Sequence, residues 1–94
     1  MEENTASGIE LNVKAIPNPS NSITTISYQL PSESLVDLKV YDMYGRQVSV
    51  LVQDRKNAGT HSVQLDASNL NSGVYICRLR AGTEVVSERL IIVK

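Results

Sequence analysis

At 94 residues the chain has room for one domain and not for two, and a domain of that size buries only roughly 60–65% of the surface its unfolded chain exposes, so its core is thin. Nine basic residues against ten acidic ones leave the charge near balance, which argues against nucleic acid or an anionic membrane surface as the partner. One cysteine, Cys77, excludes an internal disulfide, and one histidine, His61, has no neighbours at zinc-ligand spacing.

Residues 1–8 carry no hydrophobic period and read as a flexible polar linker, with the domain occupying residues 9–94. Met1 ahead of such a stretch suggests one module of a longer protein. No run approaches the roughly 20 apolar residues of a membrane helix, and the charged-then-apolar order of a signal peptide is missing at the N-terminus. Ile9, Leu11, Val13 and Ala15 alternate with polar residues, the mark of a half-buried strand. Pro17-Asn18-Pro19-Ser20 then predicts a corner, since two prolines fix φ and remove two backbone donors.

A second strand over residues 22–30 places Thr24, Ile26, Tyr28 and Leu30 on one face. Pro31 opens a turn, and a third strand over residues 35–42 points Val36, Leu38 and Val40 inward. Met43-Tyr44-Gly45-Arg46 reverses the chain, with Gly45 free to take positive φ, so residues 35–52 read as a β-hairpin. Residues 53–59, rich in charge, read as an exposed loop. A fifth strand over residues 60–66 has His61, Val63 and Leu65 on one side, and Leu70 plugs the end of the core from the following crossover.

The sixth segment, Gly73-Val74-Tyr75-Ile76-Cys77-Arg78-Leu79, predicts a central strand with Tyr75, Cys77 and Leu79 facing the core. Val74 and Ile76 leave its other face partly apolar beside Arg78, which predicts a neighbouring element half covering that face. After a turn at residues 81–83, residues 84–94 close the chain as an edge strand carrying Glu88 and Arg89. Seven short strands without a sustained helical period predict a seven-stranded antiparallel β-sandwich of immunoglobulin-like type, all-β and without a disulfide, a small barrel being the alternative.

Chemistry is sparse in this pattern. His61 has no Gly-x-Ser-x-Gly elbow to serve, and Asp37, Asp42, Asp54 and Asp66 lack calcium-loop spacing. The glycines sit at turns and form no phosphate-binding run, so no catalytic residue, metal or cofactor site is expected and the domain reads as non-enzymatic. Tyr75 stands two residues before Cys77, as in the tyrosine corner of immunoglobulin domains, although the second cysteine and the tryptophan of that motif are missing.

Five motifs in order, Pro17-Asn18-Pro19 before Ile23-Thr24-Thr25-Ile26, Val40-Tyr41-Asp42-Met43-Tyr44-Gly45-Arg46-Gln47-Val48, Ala58-Gly59-Thr60-His61, Leu70-Asn71-Ser72-Gly73-Val74-Tyr75 and the tail Leu90-Ile91-Ile92-Val93-Lys94, carry a resemblance. The chain resembles the C-terminal sorting domain of type IX (Por) secretion, and more distantly the immunoglobulin-like domain of flagellar hook-capping proteins. The resemblance implies a non-catalytic signal that directs a covalently fused N-terminal cargo through the type IX outer-membrane translocon. A surface sortase then cuts on the N-terminal side, near residues 1–8. It implies a secreted or cell-surface destination by way of the periplasm and outer membrane.

Carried onto this chain, the family's recurrent positions are Pro17, Asn18, Pro19, Asp42, Gly45, Arg46, Gly59, Gly73 and Tyr75, most of which have structural explanations as corner, turn and core residues. The tail, Leu90, Ile91, Ile92, Val93 and Lys94, is the expected recognition segment, because an edge with free N–H and C=O groups can pair with a receptor by strand addition. The same open edge offers a route to an edge-strand dimer. The alternative function is an immunoglobulin-like adhesion or spacer module, with Tyr41 and Tyr44 as its contacts.

Overall fold

A computed structural model describes residues 10–94; the predicted linker and Ile9 lie outside the described residues. Seven strands follow in order: β1 (Asn12–Ile16), β2 (Ile23–Leu30), β3 (Ser34–Tyr41), β4 (Gln47–Lys56), β5 (Gly59–Asp66), β6 (Gly73–Ala81) and β7 (Glu84–Ile92). They form two antiparallel sheets, one ordered β1-β2-β5 and the other β4-β3-β6-β7. This is the expected sandwich, with separate sheets where a barrel would have one continuous ladder.

The period-two pattern decides which side chains meet between the layers. Thr24, Ile26, Tyr28 and Leu30 of β2 are buried opposite Val36, Leu38 and Val40 of β3 and Tyr75, Cys77 and Leu79 of β6. Val13 and Ala15 complete one side, where β1 packs against β7 and β6, and Leu65 and Ala67 another. Leu70 is half-buried against this core, as predicted.

Turn chemistry sets the registers. Asp42 N–H donates to the Arg46 carbonyl at 2.9 Å, which closes a three-residue loop whose last member, Gly45, has φ +81°. Gly82, at φ +63°, is the first of two residues between Ala81 and Glu84, the position that a type II′ turn reserves for glycine.

Two expectations are corrected. The charged stretch after Val52 is not all loop: Gln53, Asp54, Arg55 and Lys56 extend β4, paired with Asp37, Val36, Leu35 and Ser34. Only Asn57 and Ala58 separate it from β5. As the sheet's edge strand, β4 can carry charge on its exposed side while its backbone still pairs with β3. The outer face of β6, expected to lie under a neighbouring element, has no further layer over it among the described residues. Val74 and Ile76 are half-buried, with Ile76 flanked in its own sheet by Tyr41 and Arg89.

Candidate functional site

Four of the five motifs converge on one end of the sandwich. There β1 stops, β2 starts, the β3–β4 hairpin turns, β6 begins at Gly73 and β7 ends opposite it at Ile92. The fifth does not join them: Gly59 pairs with Leu30 at the opposite end. Antiparallel pairing brings these distant segments together, since every second connection returns to the same end.

The corner at residues 17–20 is bound to the closing strand by main chain and side chain together. The Asn18 side chain donates to the Arg89 carbonyl at 2.7 Å and accepts from the Ile91 N–H at 2.9 Å. Ser20 N–H donates to the Ile91 carbonyl at 2.9 Å, and Val93 N–H to the Ser20 carbonyl at 2.8 Å, making a short parallel bridge between Ser20 and Ile92. Thr24, wholly buried, holds the corner from below through its hydroxyl, 2.7 Å from the Pro17 carbonyl. Ser20 Oγ is also buried but has no hydrogen-bond partner among the described residues.

The tail is anchored a second time. Lys94 Nζ donates to the Ala67 and Ser68 carbonyls at 2.8 and 3.1 Å, and Lys94 N–H to Ser72 Oγ at 2.9 Å. Leu90 and Ile92 lie in the core, Ile91 is half-buried, and Val93 and Lys94 are exposed. The expected free edge over residues 90–94 is thus corrected. β7 is the sheet's edge, but the outward-facing groups of Ile91 and Val93 are already taken by Asn18 and Ser20. The corner lies 71 residues from Arg89 in sequence, and such closure has no local signature. A threonine among the apolar residues on the buried face of β2 was the one available hint, because a buried hydroxyl needs a partner.

Tyr75 makes the expected corner bond: its hydroxyl donates to the Asn71 carbonyl at 2.7 Å. Beside it, Asp42 organises the hairpin. Its Oδ1 accepts the N–H groups of Tyr44 and Arg46, each at 2.9 Å, and its Oδ2 accepts Arg46 Nε at 2.8 Å. The guanidinium of Arg46 lies 5.5 Å from the centre of the Tyr44 ring. Met43 and Tyr44 project into solvent, while Tyr41 is half-buried.

The Arg46 N–H and guanidinium, with the Tyr44 N–H, hold the Asp42 carboxyl below its ordinary value of 3.8, outweighing desolvation. A depressed folded pKa means that this carboxylate stabilises the fold above about pH 4 and that the contribution is lost as pH falls through the folded value. Acid unfolding should therefore be blunted in Asp42→Asn. That variant starts less stable at pH 7, and its gap from the parent narrows below about pH 4, as followed by circular dichroism.

Elsewhere the reactive side chains have structural partners. Cys77 is fully buried, and burial, with Glu88 adding to it, pushes its thiol up to about 12, so it stays protonated near neutrality. His61 stacks on Tyr28 at 5.3 Å between centroids, and its Nε2 is 2.8 Å from the Asn57 carbonyl. It borders an open cleft between β4 and β5 with Asp54, but no hydroxyl or carboxylate bonds its ring among the described residues. No three His, Cys, Asp or Glu side chains gather at metal distance among the described residues.

Against known protein families, residues 14–93 match the secretion system C-terminal sorting domain. No curated protein matches the chain. The match runs from the middle of β1 to Val93, whose N–H bonds Ser20, and so takes in the corner, the hairpin, the Tyr75 strand and all of the tail but Lys94. The chain belongs to the family of secretion system C-terminal sorting domains, and its function is that of a C-terminal sorting signal for type IX secretion.

Proposed function

We propose that the secretion machinery reads this domain as a folded body, at the end of the sandwich where residues 17–20 meet residues 90–94. The domain spans residues 9–94, and residues 1–8 link it to a fused cargo. A surface sortase cuts within or beside that linker and leaves the cargo at the cell surface or released, after passage through the periplasm and outer membrane. The domain itself performs no chemistry.

One observation supports this reading above the others: the tail is bound to a corner 71 residues away, so the exposed groups of Val93 and Lys94 hold fixed positions only when the whole sandwich has formed. An unfolded tail would present the same residues without that geometry. A reporter fused ahead of residues 9–94, in a host with the machinery, tests it. Val93 is 53% exposed, so Val93→Asp should leave the core intact yet lower export by about tenfold or more. Unchanged export from a folded Val93→Asp domain would sink the proposal.

A further inference from the structure

The balanced net charge hides a segregated one. Register puts Lys39 of β3 directly opposite Arg78 of β6, and Asp37 opposite Arg80. Arg89 of β7 faces the same way, opposite Ile76. Four cations, Lys39, Arg78, Arg80 and Arg89, therefore stand together on the outer face of the four-stranded sheet beside one carboxylate, Asp37, while a fifth on that face, Arg55 of β4 opposite Leu35, lies 3.8 Å from Glu33. None of the four makes a salt bridge among the described residues.

The fold does not need this arrangement. Like charges directly opposite on adjacent strands destabilise a sheet, and Asp37, opposite Arg80 and diagonal to Arg78, is a single carboxylate set among Lys39, Arg78 and Arg80. Nor can the face bind by strand addition, because β3 and β6 are the two inner strands of their sheet. Docking here must run through side chains.

We propose that this face, centred on Lys39, Arg78 and Arg80, docks an extended acidic segment of a partner protein whose carboxylates alternate along the chain. Arg78 and Arg80 share one face of β6 and are about 6.6 Å apart, the distance between alternate side chains of any extended strand. Ile76 continues the row, with half-buried Tyr41 beside it, so the fitting sequence is an apolar residue followed at alternate positions by two acids. Guanidinium groups take carboxylates in paired hydrogen bonds, which gives such a row both attraction and register. Arg78 and Arg80 lie in a row along β6, so carboxylates spaced as on an extended chain match them two at a time, and Lys39, across from Arg78, adds a third donor beside the same shallow depression.

The proposal concerns binding by the purified chain and stands or falls independently of export. Titrating the isotopically labelled protein with a ten-residue peptide of alternating Glu, followed by amide chemical shifts, should give saturable changes confined to β3 and β6 that weaken with salt. The double variant Arg78→Gln, Arg80→Gln should bind about tenfold or more weakly, since both paired contacts are lost while the spectrum stays dispersed. A peptide of identical composition with its Glu residues adjacent should bind more weakly than the alternating one. Equal binding of the two peptides, shifts that survive the double variant, or a stronger response to phosphatidylglycerol vesicles or polygalacturonate than to the alternating peptide would each overturn it.

Discussion

A chain shortened by residues 90–94 is expected to lose its cooperative unfolding transition altogether. Leu90 and Ile92 are 0% and 1% exposed, and removing either side chain alone costs about 2–5 kcal/mol. Losing both therefore approaches the entire stability of a typical domain, about 5–15 kcal/mol. The deletion also strips β6 of its partner over Gly73, Val74 and Tyr75 and releases the corner from Ile91 and Val93. Calorimetry of the truncated chain should show no transition, and amide shifts should collapse to an unfolded spread. A cooperative melt within a few degrees of the parent would contradict the closure described above. The result bears directly on export assays, because a fusion lacking this tail would fail by unfolding, whatever the machinery reads. Substitutions at exposed tail positions separate the two causes where deletion cannot.

The second large effect is expected at Tyr75, and it divides into two parts. The residue is 8% exposed and packs in the core, so Tyr75→Ala should cost about 3–5 kcal/mol through lost burial and the cavity left behind. Its hydroxyl bonds the Asn71 carbonyl, and Tyr75→Phe removes only that bond, a loss of about 1 kcal/mol. Urea unfolding of both variants should give this threefold or greater spread with similar slopes. A Phe variant as damaged as the Ala variant would mean that the corner bond, and not the packing, fastens the crossover at residues 67–72 to β6.

Much of the architecture was legible residue by residue. Alternation placed Ile26, Tyr28, Leu38, Val40, Cys77 and Leu79 in the core, because a strand's two faces differ in every second side chain and only one can be dry. Gly45 announced its turn for an equally local reason, the positive φ that a side chain resists. The length of β4 was misjudged because charge in an edge strand looks like charge in a loop when only the sequence is in view.

The order of residues was enough to place all seven strands, though not the full length of β4, together with their buried faces and, through the succession of motifs, the family. Tertiary structure alone decided that Asn18 and Ser20 occupy the outward edge of β7, which the amino-acid order had left open for a receptor. It alone also gathered Lys39, Arg78, Arg80 and Arg89 on one surface of a chain whose total charge is near zero. The physical reason is the same in both cases. Backbone conformation and face are properties of neighbours in the chain, whereas hydrogen-bond closure and charge segregation depend on register between strands that only a complete fold brings side by side.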